Sequence, residues 1–288
     1  MPNVGLNKTQ ADALNRHLAC GKPSLNGFFL AAKQNGMFET FAGKDLVLAD
    51  AVTRTLLSID AGLDPYFVSG ADKLLAIRSS DATAVAAAGI VVASGSTPAA
   101  LRLTCRDVNA ANALGVSQEG SLWIPTSAPW SAQFEMIVPK NAYAVGVAFQ
   151  EVGFMGAGNI ATHFIDASKE FGYVDGSADA PFVSLKFAAG QGTLRVRATA
   201  GGSISTSSAF NIPASGKHVY RLEYGYASSG GTPAIALFID DVFVTSVAAT
   251  IAGALQFAAR ACHGASYLAA SHVPPVLDLN LVAVAVYS

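Results

Sequence analysis

The sequence predicts a mainly β protein, an antiparallel sandwich or barrel, preceded by a smaller mixed N-terminal region with a short helix. Three observations carry that prediction. Apolar and polar residues alternate in short runs through most of the chain after residue 98. Turn-forming Gly, Ser and Asn residues separate those runs, and charged residues are scarce. The clearest stretch lies at 218–247. There Tyr220, Leu222 and Tyr224 share one parity while Arg221 and Glu223 share the other, the period of a strand with one buried face. Ile235, Leu237 and Ile239 repeat the pattern, Asp240-Asp241 offers a two-residue turn, and Val242 and Val244 open the return strand. Such a turn needs positive φ, which Asp tolerates better than most residues.

Taken in order, residues 7–20 fit a short amphipathic helix. Asn7 or Thr9 caps it, Ala11, Leu14 and Leu18 form its stripe, and Gly21 and Pro23 end it. A helix this short has to dock, on its own chain or on a partner. His17 and Cys20 stand three apart on it, but no second pair lies nearby to complete a metal site. Phe28, Phe29, Phe38 and Phe41 alternate with glycines in a region of short strands and turns, and 46–59 fits helix or strand equally well. An Ala-rich run within 74–92 leads to Ser94-Gly95-Ser96-Thr97-Pro98, which reads as a linker. The expected division is therefore 1–98, an anchoring or oligomerisation region completed by neighbouring chains, and 99–288, the β domain.

Beyond the linker, strands are expected at 101–105, 130–138, 145–152, 182–188, 193–198, 203–210 and 276–287, besides the meander at 218–247. No G-x-G-x-x-G follows a strand, so nothing points to a nucleotide-binding α/β fold. No repeat of fixed period is visible.

Composition narrows the function. Of 288 residues only 13% are charged, where about 25% is ordinary. Mean hydropathy is +0.39. The longest apolar run, 82–93, falls short of the roughly 20 residues that span a bilayer. No membrane insertion is expected. A net charge of −2 without a basic cluster removes the electrostatic footprint of a nucleic-acid binder. Three widely spaced cysteines, Cys20, Cys105 and Cys262, read as free buried thiols, and the N-terminus has no secretory pattern. A surface so poor in charge is expected to be covered by other subunits, in a homo-oligomer with a trimer favoured.

Residues 100–288 resemble the concanavalin A-like lectin/glucanase (laminin-G-like) jelly-roll sandwich. The resemblance rests on Trp130-Ser131-Ala132-Gln133-Phe134-Glu135-Met136, on Tyr220-Arg221-Leu222-Glu223-Tyr224, on the hairpin from Leu237 to Val244 and on Leu277-Asp278-Leu279. That family usually has Asp-Gly at the hairpin turn, and here Asp241 replaces the Gly. In its low charge and its Ala, Gly and Ser content the chain is also similar in style to bacteriophage decoration, head-fibre and tail-fibre proteins. Together these resemblances imply a non-enzymatic virion structural protein, made in the host cytoplasm, contacting other virion proteins and displaying a lectin-like sandwich outward. The alternative is a glycan-binding lectin module for host-surface attachment, and after that a polysaccharide hydrolase.

The search for chemistry supports that order. Glucanases of this fold carry paired glutamates in E-x-D-x-(x)-E. Here Glu135, Glu151 and Glu223 are followed by apolar residues or glycine instead. There is no G-x-S-x-G. Adjacent Cys262 and His263 face opposite sides of a strand, which prevents direct contact. Asp175-Gly176-Ser177-Ala178-Asp179 lacks the dense carboxylate pattern of a calcium loop. No catalytic residue, metal or cofactor is expected. Sugar binding needs an exposed aromatic ring, and Tyr173 and Tyr226, both beside loops, are the candidates, with Trp130 assigned to the core.

Overall fold

The computed structural model describes residues 37–40, 46–50, 54–57, 74–79, 89–91, 100–104, 112–119, 124–125, 129–138, 149–156, 169–174, 178–214, 216–227, 233–263 and 276–286. Every regular element among them is a strand. The chain begins with β1 (Met37–Thr40), β2 (Leu46–Asp50), β3 (Arg54–Leu57), β4 (Leu74–Ser79) and β5 (Gly89–Val91). Next come β6 (Ala100–Thr104), β7 (Asn112–Glu119), β8 (Ile124–Pro125), β9 (Trp130–Ile137) and β10 (Phe149–Gly156). β11 (Phe182–Ala188), β12 (Gln191–Arg197), β13 (Ile204–Thr206), β14 (Phe210–Asn211) and β15 (His218–Ala227) follow. β16 (Pro233–Ile239), β17 (Val242–Ala248), β18 (Ala254–His263) and β19 (Val276–Val286) complete the series.

These strands form two antiparallel sheets. The first runs β17-β16-β15-β9-β19-β6-β5, with β1 also on β19. The second runs β13-β12-β11-β10-β18-β7-β4-β3-β2, with β14 on β12 and β8 on β18. Strands distant in sequence are neighbours in both, as in a jelly roll. The strands before residue 98 add to the same two sheets as those after it.

Several expectations shift in detail. The stretch at 46–59, open between helix and strand, forms the antiparallel pair β2 and β3. The strand expected at 145–152 is described from Phe149 and continues to Gly156. The one expected at 203–210 divides into β13 and β14, both paired to β12. The helix expected at 7–20, with His17 and Cys20, lies outside the described residues, as do Cys105, His163 and His272. β7 and β18 were not foreseen, although β18 lies at the centre of its sheet. Its sequence, ALQFAARACH, is rich in alanine, which is depleted in strands.

Between the sheets lies one apolar core. Trp130, Ala132, Phe134 and Met136 of β9, and Tyr220, Leu222 and Tyr224 of β15, meet Val152 and Phe154 of β10 and Leu255 and Phe257 of β18. Trp130 is fully buried, stacked on Tyr224 at 5.7 Å and edge-on to Phe154 at 5.6 Å. The opposite parity of β15 is not solvated as simple alternation implies: Arg221 and Glu223 are buried too. They hydrogen-bond each other, and the Arg221 guanidinium lies 4.3 Å from the Phe238 ring centre.

The hairpin joining β16 to β17 closes through Asp240 and Asp241, at φ 49° and 65°. With Ile239 opposite Val242, it is a two-residue turn even without glycine. Side-chain bonds replace the missing freedom. The Asp240 carboxylate accepts from the Val219 amide at 3.0 Å and contacts the His218 ring at 2.7 Å, while Asp241 accepts from Arg221 at 3.1 Å. Asp240→Ala is expected to cost about 1–2 kcal/mol in urea denaturation, through the lost charged acceptor and a left-handed alanine.

Candidate functional site

The second sheet turns one face to the core, so the opposite parity of β10, β11, β12 and β18 points outward. That face carries Glu151, Lys186, Arg195, Arg197 and Arg260. Register aligns it in rows. Arg260, Glu151, Lys186 and Thr193 are successive cross-strand partners on β18, β10, β11 and β12. The same row continues through Gly115 of β7, Arg78 of β4 and Arg54 of β3. The adjacent row places Arg195, Ser184, Gly153, Ala258 and Ser117 side by side, mostly small residues. At Gly153 nothing larger fits, because a Cβ there would stand 2.0 Å from the Val183 carbonyl oxygen.

Glu151 organises the row. It is fully buried, and both carboxylate oxygens are engaged. Oε1 accepts from Ser184 Oγ at 2.7 Å and Arg195 at 3.3 Å; Oε2 accepts from Arg260 Nε at 3.2 Å and from its terminal nitrogen at 2.8 Å. Arg260 is itself fully buried, with its guanidinium 5.2 Å from the Phe149 ring centre and 5.5 Å from that of Phe171. Burial works against its charge, but the Glu151 carboxylate more than compensates and keeps the guanidinium ionised.

Residues 169–174 and 178–182 are fastened over one side of this face. Phe171 is fully buried and packs edge-on against Phe182 at 5.7 Å. Arg260 donates to the Lys169 carbonyl at 3.1 Å, Arg195 pairs with Glu170 at 2.5 Å, and Arg197 pairs with Asp179 at 2.8 Å. Partial burial pushes the Glu170 carboxyl up, yet Arg195, with Lys186 and Arg260 behind it, holds it below the ordinary glutamate value. The stability from this contact is complete above that ordinary value and is lost as pH falls through the depressed one.

Lys186 stands apart. Its ammonium lies 4.2 Å from the Phe149 ring centre, and among the described residues no acceptor or carboxylate pairs with it. Burial lowers its pKa, offset in part by Glu151. For a lysine depressed in this way the folded state is penalised below the folded pKa, and the penalty is relieved as pH rises through it toward the unfolded value. Lys186→Met is therefore expected to stabilise the protein at pH 7 by up to about 1 kcal/mol. The gain shrinks in alkaline solution, which urea denaturation at several pH values would measure.

Residues singled out in the sequence are dispersed. Tyr173 belongs to the fastened segment, half-buried, with the Lys169 ammonium 4.4 Å from its ring centre. Tyr226 lies in the first sheet, paired with Ala234 beyond a bulge at Gly225, so the two tyrosines belong to different sides of the sandwich. Asp179 is taken up by Arg197. Glu135, paired with Lys217, and Glu223 are on the first sheet, away from Glu151. Cys262 is buried in β18. The cluster of Glu151, Lys186, Arg195 and Arg260 was missed because each lies in a different strand. The available signal was their common parity: each occupies a non-core position of an otherwise apolar run.

No protein-family model matches the chain, and no curated protein matches it. Solved structures do. An endo-1,3-beta-glucanase from Streptomyces sioyaensis aligns over 88% of this chain and 96% of its own, with 11% identity and a TM-score of 0.48. The carbohydrate recognition domain of Emp47p aligns over 74% and 89%, with 10% identity and a TM-score of 0.47. Alginate lyase vAL-1 from Chlorella virus aligns over 69% and 90%, with 7% identity and a TM-score of 0.40. The described strands form a two-sheet antiparallel β-sandwich of jelly-roll type. Likeness at this level concerns architecture and assigns no activity to this chain. It does correct one expectation. Glucanases and a lyase stand among the similar structures, so the reading of the protein as no enzyme does not hold. Release of reducing ends from polysaccharides is the assay that addresses it.

Proposed function

We propose that the chain is a surface protein of a bacteriophage particle, of the capsid-decoration, head-fibre or tail-fibre type, whose sandwich binds a host-surface saccharide. In this reading the outward face of the second sheet, bordered by the segment that carries Tyr173, is the recognition face. The observation that carries it is the partly exposed part of that face, Lys186 and Tyr173, set over a rigid buried layer of Glu151, Ser184, Arg195 and Arg260. Rigid polar groups on strands, with aromatic rings at the margin, are what a sugar-binding surface requires. The particle setting is supported by composition, with 13% charged residues and an expected homo-oligomer, a trimer favoured. Residues 1–98, whose described residues include strands β1–β5 of the two sheets, also make the contacts with the particle or with neighbouring copies in this reading.

Screening the full chain against a panel of neutral and acidic oligosaccharides tests the recognition half. The expected result is micromolar to millimolar binding of a defined saccharide, weakened by Tyr173→Ala and unchanged by Tyr226→Ala. Binding lost on Tyr226→Ala alone would move the site to the first sheet, and no binding at all would end the reading. Light scattering of the full chain tests assembly: a trimer supports it, and a monomer removes its physical basis.

A further inference from the structure

Resting on the saccharide-binding reading above, we propose that the ligand is an acidic saccharide, bearing carboxylate or sulfate groups, and that the Lys186 ammonium reads its charge. Charge on the outward face of the second sheet is unbalanced. On β10, β11, β12, β18 and the residues from 169 to 179 whose side chains are described, five cations (Lys169, Lys186, Arg195, Arg197 and Arg260) face three carboxylates (Glu151, Glu170 and Asp179). The chain as a whole is net −2. The positive excess is therefore local to this face.

It is also located. Each guanidinium is matched by a carboxylate: Arg260 by Glu151, Arg195 by Glu151 and Glu170, and Arg197 by Asp179. The two lysines are not. Lys169 lies against the Tyr173 ring and Lys186 against the Phe149 ring, and neither makes an ion pair among the described residues. Lys186 is the better placed of the two. It sits on a strand between Glu151 and Thr193 rather than on a connecting segment, so its position is fixed by the ladder on both sides. It also keeps part of its surface exposed, whereas Glu151 and Arg260 beside it are fully buried.

A half-buried ammonium with no acceptor is a standing cost to the fold, which an anion brought by a ligand relieves. A neutral sugar hydroxyl would relieve it less, because a charge-assisted bond to an anion is the stronger contact.

Calorimetric titration of the full chain with three probes tests the inference. These are a linked oligouronate, the same oligomer with its carboxyl groups reduced to alcohols, and a sulfated neutral oligosaccharide of similar length. One or both acidic probes should bind, and which one binds identifies the anionic group. Lys186→Gln should weaken that binding roughly 10- to 100-fold, the size of one charge-assisted contact, while Lys186→Arg retains most of it. A thermal melt of Lys186→Gln at or above that of the unaltered protein shows that the loss is not unfolding. If the reduced oligomer binds as tightly as the oligouronate, or Lys186→Gln binds the acidic probe undiminished, the acidic-ligand inference is overturned while saccharide binding stands. If no probe and no member of the neutral panel binds, the saccharide reading itself fails.

Discussion

Glu151→Ala is expected to destabilise the protein by about 3–5 kcal/mol, a large share of the roughly 5–15 kcal/mol that holds a typical domain together. The reason is not the loss of an attractive pair taken alone. Removing the carboxylate takes the charged acceptor away from the fully buried Arg260 guanidinium, and leaves Arg195 with Glu170 at the surface. An uncompensated buried guanidinium is the costly product. Replacing both members by apolar residues, as in Glu151→Leu with Arg260→Met, removes that charge as well. The double variant should recover much of the loss, and the coupling between the two sites should be far from additive. Urea denaturation of the single and double variants measures both quantities. A Glu151→Ala cost below about 1 kcal/mol, in the range of surface ion pairs, would mean that the outward face is solvated and not locked.

The second large effect belongs to Trp130. Trp130→Ala is expected to cost about 3–5 kcal/mol, since it removes a fully buried ring and leaves a cavity between two strands that cannot close over it. The indole Nε1 is buried without a hydrogen-bond partner, so the ring contributes through packing alone. Trp130→Phe should therefore cost much less than Trp130→Ala, because it keeps an aromatic ring against Tyr224 and Phe154 and removes the unpaired donor. A tryptophan-to-phenylalanine loss as large as the alanine loss would contradict that account of the core.

What was legible in the sequence was mostly what period-two patterning encodes. β9 emerged at Trp130–Ile137 because every second residue is apolar, and the same pattern marked Tyr220, Leu222 and Tyr224. The Asp240-Asp241 turn was legible from its chemistry, and its positive φ angles follow. β18 was not legible, because Ala258, Ala259 and Ala261 blur the alternation between its faces and have little strand preference. β10 is buried on both faces, so alternation does not mark its end, which lies at Gly156 and not Val152. The charged cluster stayed hidden for a different reason. Glu151, Lys186, Arg195 and Arg260 are joined by strand order, with β10 between β11 and β18, and strand order is long-range information that local periodicity does not carry.

The central claim is that the outward face of the second sheet is where this protein meets its ligand. Hydrogen exchange on the full chain, with and without a saturating saccharide identified by the titrations above, tests it most directly. Slowed exchange in residues 169–174 and in β10, β11 and β12, with β15, β16 and β17 unchanged, is the predicted result. Protection confined to β15–β17 would place the ligand on the first sheet and contradict the account.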